Sequence, residues 1–266
     1  MFLSRKALEK IRFLAGAYFL LGVLCLVAFA VFQSLQAGGM VLLLLGVICF
    51  VCGFLSYMAG RYTEGKGNLI NSGNKLVFHE LRPGEFIRIY EEKRDYPDNV
   101  ISTPDYDVLQ LLVTAYDALG DPDSALEVLE QMGAIAPEKK KIHVKLLKTG
   151  LLFSIGRVDE AGLLYAEVVS SDMDMITKAL LDVVMRSDRA MALGDYATSE
   201  GYYLQALRAP FPRNTPLSIL YAHFALAKIY VATGRAEEAK IHLNYCIQNG
   251  GDTNIKPDSK EILCKL

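Results

Sequence analysis

The chain has 266 residues, and its 28 Lys and Arg nearly balance its 30 Asp and Glu, for a net charge of −2. After residue 60 the acidic residues are in larger excess, so we expect no nucleic-acid partner, because a nucleic-acid surface needs clustered Lys and Arg. The five cysteines, three of them in the apolar N-terminal part, predict no disulfide framework.

Two apolar runs open the chain, at about residues 13–33 and 40–60. Each has roughly the 20 residues that a helix needs to cross a bilayer. Neither contains Asp, Glu, Lys, Arg or His, so neither has the charged groups of a transport path. Residues 1–60 are therefore predicted to form a passive transmembrane helical hairpin. A cleaved signal peptide is the alternative for the first run.

Lys and Arg flank the two runs on their outer ends, which places both ends of the hairpin inside, N-in and C-in. The sequence thus predicts an integral membrane protein of a bacterial inner membrane, in contact with the lipid bilayer and with its later residues in the cytoplasm. Glycines at every seventh position of the second run predict close helix packing, against the first span or within a homo-oligomer or membrane complex. These glycines are Gly39, Gly46, Gly53 and Gly60.

Residues 61–104 predict a connector with a degenerate pair of helices. The segments 71–81 and 83–93 carry apolar residues at helical spacing, and Pro83 is well placed to begin a helix. A second proline, Pro97, follows the second segment.

A repeated pattern occupies residues 105–250, in which a glycine ends one amphipathic stretch and a small residue follows five positions later. The glycines are Gly120, Gly156, Gly194 and Gly234, spaced 36, 38 and 40 residues apart. Glycine suits the left-handed end of a helix, and a small residue suits the contact between two antiparallel helices. Each unit is therefore predicted to be a helix, a tight turn and a second helix.

These units resemble the tetratricopeptide repeat family, whose period is about 34 residues. In the first unit the matching residues are Leu109, Leu112, Tyr116, Gly120, Ala125, Leu129 and Pro137; in the last they are Leu226, Ala227, Tyr230, Gly234, Ala239 and Leu243. The resemblance implies an all-α protein in which the transmembrane hairpin precedes a tetratricopeptide-like α-solenoid of about four to five helix-turn-helix units. Residues 251–266 are predicted to form a capping tail.

In such a solenoid the first helices of the units make a concave groove that binds peptides. The predicted register makes this groove polar near the first unit, where Asp117 belongs to it, and apolar further on. If the register is shifted, the apolar residues are core instead. The candidate peptide-binding residues are Leu146, Phe153, Leu181, Val184, Met191, Tyr221, Phe224 and Lys228.

No catalytic or metal-binding motif is recognisable, so the sequence predicts no enzyme, no cofactor and no metal site. His223 and His242 fall on the two helices of the last unit, and a regulatory or catalytic role for this pair is a minor alternative. The basic run Lys139 to Lys141 indicates either a solvated helix face or a contact with anionic lipid or an acidic partner.

These patterns predict a membrane-anchored cytoplasmic scaffold or adaptor that binds a partner protein or peptide in its groove. The alternative is a structural accessory subunit of a larger membrane complex, assembled through the transmembrane hairpin.

Overall fold

The structure is a computed structural model that describes residues 48, 51–55, 67–94, 105–209 and 214–266. These residues form helices and turns, with no strand among them, which confirms the predicted all-α class for the described part of the chain.

The chain divides into two compact units. The first contains Met1–Leu69 and Tyr96–Ser102, and only short helical pieces of it are described. The second contains Ile70–Asp95 and Thr103–Leu266, and it holds the whole repeat region. All helices and contacts below belong to this second unit.

The helices of the second unit are numbered from Pro83 onwards. In chain order they are α1 (Pro83–Arg94), α2 (Tyr106–Ala118), α3 (Pro122–Ile135), α4 (Glu138–Ser154), α5 (Val158–Val169), α6 (Met175–Val184), α7 (Tyr196–Leu207), α8 (Pro216–Ala232), α9 (Ala236–Asn249) and α10 (Ile255–Lys265). A π-helical segment, Asn74–His79, precedes α1, and a second one, Met185–Arg189, extends α6 towards the short helix Ala190–Ala192.

The structure contradicts the predicted location in a membrane. Among the described residues no helix is both long enough and apolar enough to cross a bilayer. The longest described helices of the second unit, α4 and α8, have 17 residues each, whereas a span needs about 20 apolar residues. The predicted spans, about 13–33 and 40–60, lie outside the described residues except for 48 and 51–55, as do Gly39, Gly46 and Gly60.

Helices α2 to α9 pack as four successive hairpins. Hairpin 1 is α2 with α3, hairpin 2 is α4 with α5, hairpin 3 is the extended α6 with α7, and hairpin 4 is α8 with α9. Neighbouring hairpins also pack together, through α3 with α4, α4 with α6, and α7 with α8. Helix α10 lies against α9 and α8 after the last hairpin.

The four hairpin turns share one backbone geometry, as the glycine pattern predicts. Gly120, Gly156, Gly194 and Gly234 have φ angles of 71°, 80°, 77° and 75°, which is the left-handed region that side chains disfavour. After each glycine, the next residue donates its backbone N–H to the carbonyl five positions earlier. One example is Arg235 to Tyr230, at 2.8 Å. This closure of a helix end is the Schellman motif.

The small residue of each unit lies where the two helices of a hairpin meet. Ala125, Ala161, Ser199 and Ala239 are all fully buried. A longer side chain at this position forces the helices apart, because protein interiors have no spare volume. The repeated glycine and small residue thus determine both the turn and the closeness of each hairpin.

Candidate functional site

Three of the predicted groove residues lie in the core instead of on a binding surface. Leu146, Phe153 and Val184 are only 0%, 3% and 4% exposed and belong to one cluster between hairpins 2 and 3. Gly150 allows helices α4 and α6 to lie close together here, because a Cβ atom added to it would lie 3.2 Å from a methyl group of Val184. For these residues the core alternative of the sequence prediction applies.

Leu181 and Met191 occupy an intermediate position. Each is partly exposed, and each packs against a buried cluster, Leu181 against that of hairpins 2 and 3 and Met191 against that formed by α8 and α9.

Tyr221, Phe224 and Lys228 share one face of α8 and remain half-buried. The hydroxyl of Tyr221 donates a 2.6 Å hydrogen bond to the carboxylate of Asp117 on α2. The ammonium nitrogen of Lys228 lies 5.1 Å from the centre of the Phe224 ring, within cation–π range. This face of α8, called the inner face below, is the part of the predicted groove that the structure brings together.

Charged groups from three other helices surround Lys228. Burial lowers the pKa of Lys228, while the nearby carboxylates of Asp188, Asp258 and Asp117 act in the opposite direction. Burial also raises the pKa of Asp188 to about 6, and the charge of Asp117 adds to the rise. Asp117 itself has a raised pKa for the same reason, partly offset by the bond from Tyr221. The charged groups of this cluster are thus poorly solvated.

The two ends of the array meet beside this cluster. The backbone N–H of Asp252 donates to the carbonyl of Leu81, and that of Asn254 donates to the carbonyl of Ala118, both at 2.9 Å. The π-helical segment Asn74–His79 packs against α8. Through Asp117, hairpin 1 therefore lies against the Tyr221 end of the inner face.

The sequence prediction missed the contributions of Asn254 and Asp258 to this region. Asn254 belongs to the polar sequence Asp252-Thr253-Asn254, which is typical of a turn, and a turn is present there. Its distant partners are backbone carbonyls, which no residue pattern identifies.

The last hairpin is also where the chain matches a known family. Residues 220–248 match the tetratricopeptide repeat family. Comparison of the chain with curated proteins and with solved structures finds no significant match. The tetratricopeptide repeat covers most of hairpin 4, and it includes all three residues of the inner face.

The tetratricopeptide repeat also contains the two histidines of the last unit, His223 and His242. The Nδ1 atoms of His223 and His242 are 2.8 Å apart, and the ring of Tyr245 stacks on His223 with ring centres 3.8 Å apart. Burial lowers the pKa of both rings, that of His223 to about 4 with a contribution from His242. Both are thus neutral at pH 7 and share one hydrogen bond. Within the described part of the chain, no group of three or more His, Cys, Asp or Glu is arranged to hold a metal ion.

The basic cluster that follows Pro137 is largely paired. Lys141 contacts Glu138, Lys145 contacts Glu167, and Lys148 lies 3.3 Å from Glu130. Lys140 lies over the ring of Tyr106 at 3.9 Å. These contacts favour the solvated helix face over a lipid or acidic-partner site.

Proposed function

We propose that this chain is a protein–protein interaction module that acts by binding a segment of a partner protein, not by catalysis. The observation that carries the proposal is the tetratricopeptide repeat at residues 220–248, because repeats of this kind stack into binding surfaces. The three preceding hairpins support it, since their turns have the same backbone geometry as the turn of the repeat.

The proposed binding surface is the inner face of α8, with Leu181 and Met191 at its margins. Phe224 offers apolar area, Tyr221 offers both a ring and a hydroxyl, and Lys228 offers a charge that is not in a direct ion pair in the described structure. Aromatic side chains are enriched at protein interfaces, and tyrosine is among the few residue types that dominate their binding energy. An amphipathic partner segment fits this combination.

The test compares two alanine variants of hairpin 4. Phe224→Ala removes a ring from the inner face, whereas Ile241→Ala removes a side chain that is exposed on the opposite helix, α9. Partners are captured from an extract of the source cells with the full chain and quantified by mass spectrometry, after urea denaturation has shown that both variants fold.

We expect Phe224→Ala to reduce the capture of specific partners by about tenfold, as loss of an interface aromatic does, and Ile241→Ala to leave it unchanged. Equal capture by both variants would contradict binding at the inner face. Capture of nothing by the unaltered chain would contradict the proposed function itself.

A further inference from the structure

The loop between α9 and α10 joins the last hairpin to the first part of the unit. In this loop, Gly251–Asn254, called the latch below, Asp252 and Asn254 donate the backbone hydrogen bonds to Leu81 and Ala118. Residues more than 130 positions apart are thus held together at each bond. The Tyr221 to Asp117 bond lies on the same side of the array and adds a third connection between its ends.

The turn of hairpin 1 is shaped to receive the latch, unlike the other three turns. A Cβ atom at Gly120 would lie 2.5 Å from the side-chain nitrogen of Asn254, which is closer than atoms can approach. At Gly156, Gly194 and Gly234, which have nearly the same φ angle, a Cβ atom would meet nothing within 4 Å. The absence of a side chain at Gly120 therefore has a second role that the repeat itself does not require.

The other contact point of the latch is strained. Leu81 has a φ angle of 54°, a left-handed conformation that is unusual for a leucine. Its carbonyl accepts the hydrogen bond from Asp252, and its Cβ atom leaves no room for a side chain at Gly251, where an added Cβ would be 2.6 Å away. A strained residue persists where surrounding contacts over-determine it, and here those contacts come from the latch.

We propose that the latch is an autoinhibitory contact: through Ala118 it holds the neighbouring Asp117 of hairpin 1 against the Tyr221 end of the inner face, and a partner segment reaches this face only after the latch opens. This inference rests on the proposed function and specifies how the same surface is regulated. In the closed state the hydroxyl of Tyr221 is bonded to Asp117, and the segment Asn74–His79 lies against α8. A partner must therefore replace contacts within the chain, which reduces its apparent affinity in proportion to the fraction of open molecules.

The chain offers a matched pair of variants for a test. Gly120→Ala and Gly156→Ala both place an alanine at a positive φ angle in a hairpin turn, so both have the same backbone strain. Only Gly120→Ala also collides with Asn254. The difference between the two variants thus isolates the latch.

Two measurements on the full chain need no partner. Hydrogen exchange reports protection of the amides of Asp252 and Asn254, and fluorescence of the dye 8-anilinonaphthalene-1-sulfonate reports exposed apolar surface. We expect the protection factors of these two amides to be at least tenfold lower in Gly120→Ala than in Gly156→Ala. We also expect Gly120→Ala to bind severalfold more dye. Adding Phe224→Ala to Gly120→Ala should remove most of the extra dye binding.

A second variant covers the case in which Gly120→Ala does not fold. Asn254→Pro removes the N–H that donates to Ala118 and also the side-chain amide that donates to Asp258, while its φ angle of −67° is one that proline adopts. Equal exchange and dye binding in the latch variants and in Gly156→Ala would overturn the latch. Loss of amide protection without extra dye binding would show that the latch does not restrict access to the inner face.

Partner capture then separates the two proposals. Higher capture by Gly120→Ala than by Gly156→Ala supports the latch. Equal capture by both variants overturns autoinhibition but does not contradict the proposed interaction module. Capture by neither variant overturns both the proposed function and the latch.

Discussion

The Tyr221 hydroxyl and the Asp117 carboxylate, 104 positions apart in the sequence, form a 2.6 Å hydrogen bond between hairpin 4 and hairpin 1. Both residues belong to first helices, and both were predicted to face a groove. Their bond shows that this groove is crossed by the protein's own side chains. Burial raises the pKa of Asp117, and the hydrogen bond from Tyr221 and the charge of Lys228 both act against that rise.

Removal of this bond is the first prediction. Tyr221→Phe leaves a poorly solvated carboxylate without its donor, which should lower the free energy of unfolding by about 1–3 kcal/mol. Urea denaturation at pH 7 measures the loss. Tyr245→Phe, in the same hairpin, keeps its ring contact with His223 and should change stability by less than about 0.5 kcal/mol. A loss for Tyr221→Phe no larger than for this control would show that the bond contributes nothing.

The second prediction concerns the residues that moved from groove to core. Leu146 is fully buried, so Leu146→Ala should lower the free energy of unfolding by about 2–5 kcal/mol through lost contacts and a residual cavity. Leu163 on α5 is 77% exposed, so Leu163→Ala should cost less than about 0.5 kcal/mol. Similar losses of unfolding free energy for the two variants would indicate that Leu146 is exposed, as the groove prediction stated.

Asp188 provides the third prediction, through its raised pKa of about 6. The folded state binds this proton more tightly than the unfolded state, whose Asp pKa is about 3.9, so the contribution of Asp188 to stability is full below pH 4 and is lost as pH rises through 6. Asp188→Asn should therefore stabilise the protein at pH 7 by about 1–3 kcal/mol and lose this advantage on acidification to pH 4. Urea denaturation between pH 4 and 7.5 measures it, with the exposed Asp172→Asn as control. An advantage that does not depend on pH would refute the assignment.

The fourth prediction concerns the His223 and His242 pair. Both rings have lowered pKa values, so the unfolded state binds protons more tightly, and stability is lost as pH falls from about 6.5 towards 4. The rings are only half-buried, and solvent screening limits the effect to about 1 kcal/mol per ring. Between about pH 6.5 and 4 the contribution of Asp188 to stability increases as the pH falls, opposite to that of the histidines. Stability is therefore compared with and without His223 in a protein that already carries Asp188→Asn. In that background, His223→Gln should reduce the loss of unfolding free energy between about pH 6.5 and 4, as measured by urea denaturation. An unchanged loss would exclude the histidine pair as its source.

The sequence alone determined the features that depend on nearby residues. Each turn needs a left-handed residue and each hairpin needs a small one, and both requirements are met within six positions of the chain, from Gly120 to Ala125 in the first unit. Helix starts are local in the same way: the Asp121 carboxylate accepts from the N–H of Ser124, and Thr215 and Ser218 cap each other. These features are visible in the sequence because their partners are sequence neighbours.

Only the tertiary structure decided which face of each first helix is buried and whether the array is open. Leu146 and Phe224 occupy equivalent places in the predicted register, yet Leu146 is core and Phe224 remains partly exposed. The joining of the two ends of the array depends on backbone groups, the carbonyls of Leu81 and Ala118, which every residue possesses. A contact made by groups common to all residues leaves no mark on residue type, so it becomes visible only once the ends of the array are placed in space.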